Sequence, residues 1–109
     1  PDPKYARSHG LVKGTTWTVE SEDVSAYLLR EFVLDDFVIV KMDIEGAEFH
    51  VIPKMIDDGS IHLIDELFIE CHYFEGNFLA NLKTYKWADC LNMFEQLRVL
   101  GVYVHEWLN

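Results

Sequence analysis

A near-continuous apolar and β-branched run, FVIVKM at residues 37–42, places the strongest restriction on the fold. Such a run is typical of a strand that is covered on both faces in a parallel sheet. Two further runs, ELFIECHY at residues 66–73 and VYVHEW at residues 102–107, predict additional strands later in the chain. We therefore expect these runs to form the centre of one sheet.

Segments with helical periodicity lie between the predicted strands. Ser21 is the expected N-cap of a helix over residues 22–32, whose apolar side chains recur at helical spacing. A helix is also expected after the first apolar run, with a kink or a boundary at Pro53, because proline lacks an N–H and its ring clashes with the preceding turn. Residues 87–100 predict a third helix, which the following glycine ends.

The order of these elements predicts the fold class. The segment TTWTV at residues 15–19 predicts a short first strand, and residues 1–14, which contain two prolines and two glycines, predict a loop or a frayed end. Strands and helices then alternate, as in an α/β domain with a mostly parallel sheet and flanking helices.

Cys71 and Cys90 lie in apolar contexts without Cys-x-x-Cys spacing, so we predict core thiols rather than a disulfide framework.

Charge limits the partners of the chain. Its 109 residues include 9 Lys and Arg against 19 Asp and Glu, a formal net charge of −10. A chain this acidic repels phosphate backbones and anionic lipids, so we expect no nucleic-acid partner and no membrane contact.

The chain begins at Pro1 rather than Met, and we expect it to be a piece of a longer protein. Nothing in the sequence indicates the cellular compartment.

Polar side chains follow the first two apolar runs, where ligands bind in open α/β sheets. Asp43 and Glu45 come after the first run, and Glu70 and His72 lie two residues apart in the second, so they share one face of a strand. If the strands are neighbours, Asp43, Glu70 and His72 converge on one pocket. Carboxylates and an imidazole there can orient a substrate, accept a proton or hold a divalent cation. These three are the predicted catalytic residues.

Simpler roles remain open for the same residues. Asp43 can be a solvated carboxylate or a helix cap, and Glu45 can favour the positive end of the next helix. His72 can be an ordinary histidine at the sheet edge, whereas a buried Glu70 needs a partner, because an isolated buried carboxylate is costly. No histidine pair has metal-ligand spacing, so we predict no metal site. A divalent-cation hydrolase that uses Asp43, Glu70 and His72 is the least favoured alternative.

The segment FVIVKMDIEGAEFHVI, followed by LIDELFIECHY, resembles the FkbM-type methyltransferases. The hallmark of that family is a strand ending in Lys-x-Asp-x-Glu-Gly-Ala-Glu, with a Glu-rich apolar strand farther along. Here the hallmark residues are Lys41, Asp43, Glu45, Gly46, Ala47 and Glu48. The resemblance covers residues 17–73 well and continues more weakly to residue 107, where the ending VHEW is similar to that of plant members.

Membership implies a Rossmann-like fold and S-adenosylmethionine-dependent methyl transfer to an oxygen of a small molecule or sugar. By this likeness, the first two apolar runs are the fourth and fifth strands of the methyltransferase sheet. Asp43 and Glu45 then lie beside the methyl donor and bind this cofactor. The acceptor is faced by Glu70 or His72, and His72 is the better proton acceptor near neutral pH.

The chain lacks two features that form most of the donor pocket in such enzymes. These are a Gly-rich turn after the first strand and an acidic residue after the second. We therefore expect residues 1–109 to be the C-terminal half of a Rossmann-like methyltransferase domain, inactive by itself. Such a half leaves a sheet edge open to self-association. The alternative is a non-catalytic methyltransferase-like module that binds or acts as a scaffold.

Overall fold

The computed structural model describes residues 16–73 and 85–108. In chain order its elements are α1 (Val24–Glu31), β1 (Ile39–Met42), α2 (Glu48–Asp58), a 3₁₀ helix (Ser60–Leu63), β2 (Glu66–Ile69), α3 (Trp87–Val99) and β3 (Tyr103–Glu106). The loop predicted at residues 1–14 lies outside the described residues. No helix in the described ranges is long and apolar enough to cross a membrane.

The three strands form one parallel sheet in the order β1-β2-β3. Val40 of β1 pairs with Leu67 of β2, which in turn pairs with Val104 of β3. The α/β class, the parallel pairing and the adjacency of the first two apolar runs are therefore confirmed. Parallel pairing brings the carboxyl ends of β1 and β2 to the same edge of the sheet, where the predicted site residues follow.

One face of the sheet carries the core. Side chains alternate between faces along a strand, and Met42, Leu67, Ile69 and Val104 are all buried with the apolar side chains of the helices. The residues that are completely buried include Ile52 and Met55 of α2 and Leu97 of α3. Both long helices therefore pack on this face.

The opposite face of β1 is open in the described part of the chain, which corrects the prediction of a strand covered on both faces. Phe37 is 71% exposed and Ile39 is 56% exposed. The reason is topological, because the helices of the described part all pack on the other face. Lys41, a residue of the family hallmark, also lies on the open face, where its Nζ is 4.3 Å from the centre of the Trp107 ring.

The short strand predicted at residues 15–19 is not formed by its described part. Residues 16–23 have neither helical nor strand structure, and Trp17 and Val19 are exposed. β-branched and aromatic residues form a strand only when a neighbouring strand offers backbone partners, and none of the described strands pairs with this segment. The next helix also begins later than predicted, with Asp23 rather than Ser21 as its N-cap.

Pro53 lies inside α2, so the helix boundary expected there is wrong. Proline removes one backbone donor and costs roughly 3 kcal/mol in a helix interior. Ile52 and Met55, on either side of it, are both completely buried against the sheet. This burial offsets the cost and carries the helix on to Asp58, where Gly59 follows with a left-handed φ of 82°.

Cys71 and Cys90 form a disulfide bond, contrary to the prediction of core thiols. Their Cα atoms are 6.1 Å apart. Cys71 follows β2 and Cys90 lies in the first turn of α3, so packing of this helix on the sheet brings the two sulfurs together. A separation of 19 residues carries no local pairing signal. The bridge ties the end of β2 to the start of α3.

Asp23 caps the N-terminus of α1 and links this helix to α2. Its Oδ1 accepts hydrogen bonds from the backbone N–H groups of Ser25 (3.0 Å) and Ala26 (3.3 Å), and its Oδ2 accepts one from Lys54 Nζ at 2.7 Å. The hydrogen bond from Lys54 and then that from Ala26 lower the pKa of Asp23 below its ordinary value. The folded chain therefore binds this proton less readily than the unfolded chain does.

We expect the stabilisation from Asp23 to be complete at neutral pH and to be lost as the pH falls below about 4, through the lowered pKa of the folded state. The measurement is urea unfolding of the wild type and of Asp23→Asn at neutral pH and at about pH 3. The difference between the two free energies of unfolding should shrink in acid. Asp35→Asn, at an exposed carboxylate, is the control and should show no such change. An equal difference at both pH values would contradict the prediction.

Candidate functional site

The turn after β1 positions the first site residues. Asp43 follows the last residue of the strand, and the backbone then passes through two left-handed conformations, at Glu45 (φ 55°) and Gly46 (φ 101°). Only glycine adopts the second of these without strain. This tight reversal lets α2 begin at Glu48, only a few residues after the strand ends. The carboxylates of the turn are thereby held at the carboxyl edge of the sheet.

Glu48 is completely buried and joins the ends of β1 and β2. Its Oε2 accepts a hydrogen bond from the backbone N–H of Gly46 (3.0 Å), and its Oε1 accepts one from the backbone N–H of His72 (2.6 Å). The same Oε1 lies 2.8 Å from Nδ1 of the His72 ring. A buried carboxylate is tolerated when donors surround it in this way. Glu48 therefore fixes both the backbone and the ring of His72.

His72 directs its other ring nitrogen at three carboxylates. Its side chain is only 5% exposed, and Nε2 lies 3.4 Å from Asp43 Oδ1, 3.6 Å from Glu45 Oε2 and 4.0 Å from Glu70 Oε1. Asp43 and Glu45 are about one-third exposed, so the cluster opens to solvent on their side. With a proton on Nδ1 facing Glu48, Nε2 has a lone pair for a proton or a metal ion.

Glu70 is the most shielded of the three carboxylates that face Nε2, with 19% of its side chain exposed. Loss of solvation raises its pKa, and a hydrogen bond with Asp43 and the negative charge of Asp43 raise it further. The charge of His72 acts in the opposite direction. Glu70 therefore holds a proton more readily than an isolated carboxylate does.

All four predicted site residues lie in this cluster, which we call the crevice cluster: Asp43, Glu45, Glu70 and His72. The prediction that Glu70 and His72 share a face of a strand is wrong, because β2 ends at Ile69 and both residues lie beyond it. The backbone after the strand nevertheless brings the two side chains together, with Glu70 Oε1 lying 4.0 Å from His72 Nε2. Their catalytic and cofactor-binding roles stay predictions.

Glu48 is the site residue that sequence reasoning missed. In the sequence it is distinguished only as part of the FkbM hallmark. A signal for its burial was present, because Glu48, Ile52 and Met55 follow one another at the i, i+4 and i+7 positions of a single helix face. A charged residue on the apolar face of a helix needs a buried partner, and His72 is that partner.

Two other features lie outside the crevice cluster. A groove of about 400 Å³ runs between β1 and the helices α1 and α2, and residues 22–25 and 40–42 form part of its wall. His105 lies on the open face of the sheet, where its Nε2 is 2.6 Å from Glu66 Oε1. This second imidazole–carboxylate pair has no further carboxylate within ion-pair distance among the described residues.

Comparison with known proteins identifies one family. The model of a domain of unknown function, DUF7870, matches residues 5–108. No curated protein and no solved structure matches the chain. Because the family match extends over nearly the whole sequence and includes both strand ends of the crevice cluster, the chain belongs to the DUF7870 family.

Proposed function

We propose that the chain is part of an S-adenosylmethionine-dependent methyltransferase of the FkbM type, which methylates an oxygen of a small molecule or sugar. The observation that carries the proposal is the convergence of Asp43, Glu70 and His72 at the carboxyl ends of two adjacent parallel strands. Open α/β sheets bind their ligands at this edge. The residues that resemble the FkbM hallmark, from Lys41 to Glu48, extend from the end of β1 to the start of α2.

Two features of the sheet support the finer assignment to a Rossmann-like fold. In the described part of the chain β1 has a partner only on its β2 side, so its other edge has room for further strands. A doubly wound sheet has helices on both faces, and here the face of Ile39 and Tyr103 is exposed while the helices lie on the other. A donor-binding half that adds strands beside β1 and helices over the open face would complete such a fold.

The residues present fit one side of a site for S-adenosylmethionine. Asp43 and Glu45 are partly exposed carboxylates at the mouth of the crevice, and negative charge there favours the positive sulfonium group. When bound, S-adenosylmethionine supplies a methyl group activated for displacement. A Gly-rich turn that would hold the rest of the molecule is not among the residues of this chain. The proposal therefore assigns this chain chiefly to the acceptor side.

The crevice cluster can prepare an acceptor hydroxyl for methylation. His72 Nε2 is directed into the crevice and can accept the proton of a hydroxyl bound there. Glu48 keeps the ring in one orientation through Nδ1, so the accepting nitrogen needs no rearrangement. Glu70, whose Oε1 lies 4.0 Å from His72 Nε2, can accept a hydrogen bond from the hydroxyl and hold the acceptor in place.

We expect Asp43→Ala to lower the rate of methyl transfer by about ten- to a hundredfold. A loss of this size corresponds to the free energy of one hydrogen bond made by a charged group. The assay measures transfer of a labelled methyl group from S-adenosylmethionine to a panel of small-molecule and sugar acceptors, using the full gene product that contains this chain. Asp57→Ala is the matched control, because Asp57 is an exposed carboxylate of α2 outside the crevice cluster. It should leave the rate unchanged.

The same assay separates the enzyme from the non-catalytic module. Transfer that is detectable in the wild type and reduced in Asp43→Ala supports the proposal. Equal transfer by the wild type and Asp43→Ala would contradict the role of Asp43. An absence of transfer with every acceptor in the panel, together with no binding of S-adenosylmethionine by the full gene product, would favour the scaffold.

A further inference from the structure

We propose that Asp43, Glu45 and His72 form a binding site for one first-row divalent cation, with Mn²⁺ as the best fit. The inference does not rest on methyl transfer. It starts from the arrangement of three potential ligand atoms, one from each residue, that all lie within 4.8 Å of one another. The three residues come from two different strand ends, so sequence spacing alone could not show this set.

The distances match what a cation requires. A metal ion bonded to imidazole nitrogen and carboxylate oxygen at about 2.1 Å has neighbouring ligand atoms roughly 3 to 3.5 Å apart. His72 Nε2 is 3.4 Å from Asp43 Oδ1 and 3.6 Å from Glu45 Oε2. The third pair, between the two partly exposed carboxylates, lies within 4.8 Å. The ligand set is therefore formed before a cation binds.

The buried surroundings of His72 support its ring in the way that a metal ligand requires. Metal-binding histidines almost always donate their other ring N–H to a carboxylate or a carbonyl, which fixes the ring and makes the ligand nitrogen more basic. Glu48 Oε1 accepts from Nδ1 at 2.8 Å and is completely buried. An ordinary surface histidine does not have this support. The arrangement of carboxylate, imidazole and further carboxylates is that of a supported metal ligand.

The negative charge around His72 also favours the binding of a cation. Asp43, Glu45, Glu48 and Glu70 place four carboxylates around one imidazole. The ion pairs that Lys and Arg make within the described ranges lie elsewhere, between Arg30 and Glu22 or Glu31 and between Lys54 and Asp23 or Asp58. A divalent cation would balance the excess negative charge of the crevice cluster.

The donor set selects the class of cation. Carboxylate oxygen suits Mg²⁺, Ca²⁺ and Mn²⁺, whereas imidazole nitrogen suits first-row transition metals. Two carboxylates and one imidazole are therefore best matched by Mn²⁺, with Zn²⁺ as a competitor, and all-oxygen Ca²⁺ sites are different in kind. Three protein ligands leave open positions on such an ion, and these would face the solvent-exposed side of the crevice, where an oxygen ligand such as a hydroxyl can bind.

The test uses Mn²⁺ itself as the probe of the 109-residue chain. We expect calorimetric titration with MnCl₂ to show one saturable site per chain. In an amide NMR spectrum, paramagnetic broadening by substoichiometric Mn²⁺ should centre on residues 43–48 and 70–72. Neither readout depends on enzymatic activity, so failure of the proposed methyl transfer leaves this experiment intact.

Variants identify the ligands. Asp43→Asn should weaken Mn²⁺ binding at least tenfold and leave the chain folded, because Asp43 is partly exposed. His72→Ala should have at least the same effect, with its folding checked by far-UV circular dichroism. His105→Ala is the matched control, since His105 also pairs with a carboxylate but lies outside the crevice cluster. It should bind Mn²⁺ as the wild type does.

Three results would overturn the proposal: no saturable binding of Mn²⁺ or Zn²⁺, broadening centred on residues 103–107 or elsewhere, or equal affinity in the wild type and Asp43→Asn. His72 Nε2 can hold a proton or a cation but not both, so the cation-bound chain uses this nitrogen as a ligand. Proton acceptance by His72 then belongs to the cation-free state. Binding of Mn²⁺ and methyl transfer can therefore be tested separately.

Discussion

Replacement of Glu48 by Ala should lower the free energy of unfolding by about 3–5 kcal/mol, because three buried donors lose their acceptor at about 1–3 kcal/mol each. Glu48 is completely buried and accepts hydrogen bonds from the Gly46 and His72 backbones and from the His72 ring. The Ala variant leaves these donors buried without their acceptor and opens a cavity beneath the turn. The measurement is urea unfolding followed by circular dichroism.

Two variants show whether the loss comes from the hydrogen bonds. Glu48→Gln keeps one acceptor oxygen at nearly the same volume, so it should destabilise less than Glu48→Ala. Glu20→Ala removes an exposed carboxylate and should change the free energy of unfolding by less than about 0.5 kcal/mol. If Glu48→Ala costs no more than Glu20→Ala, Glu48 does not hold the two strand ends together.

Loss of the Cys71–Cys90 disulfide is expected to destabilise the chain by about 3 kcal/mol, because the bridge restricts the unfolded chain across a loop of moderate length. The bridge spans 19 residues and ties the end of β2 to the first turn of α3. The loss should appear as a lower urea midpoint for the double variant Cys71→Ala/Cys90→Ala. Cys71 directly precedes His72, so the same variant also loosens the segment that carries the imidazole.

A reductant provides the control for the disulfide. Reduction of the wild type should shift its urea midpoint towards that of the double variant, and the double variant should not respond to the reductant. A wild type whose midpoint is the same with and without reductant, and whose two thiols titrate as free, would contradict the bridge. Mass spectrometry of the unreduced chain gives an independent reading of the same bond.

The α/β alternation could be predicted because it depends on local patterns. FVIVKM and the apolar part of ELFIECHY are rich in β-branched and aromatic residues, which is typical of strands, and the segment between them has helical periodicity. Helices between parallel strands then bring the strand ends to one edge. The meeting of Asp43 with His72 followed from this topology without knowledge of any side-chain contact.

The exposed face of β1 and the failed strand at residues 15–19 could not be predicted in the same way. An apolar run shows that a strand can be buried, but not which of its faces another layer covers. Ile39 is exposed because the helices of the described part pack on the side of Met42. Likewise, a segment such as TTWTV has strand propensity, but only a neighbour in space can supply its hydrogen bonds.

The sequence therefore determined the order of the three helices and the three strands that form, the parallel class of the sheet and the edge at which polar residues gather, since each depends on the spacing of apolar residues along the chain. The hydrogen bonds of Glu48 to His72 and the pairing of Cys71 with Cys90 were decided by tertiary packing. These contacts join residues 19 to 24 positions apart. Such distant residues carry no mutual signal in one sequence, because only the packing of α2 and α3 on the sheet brings them within bonding distance.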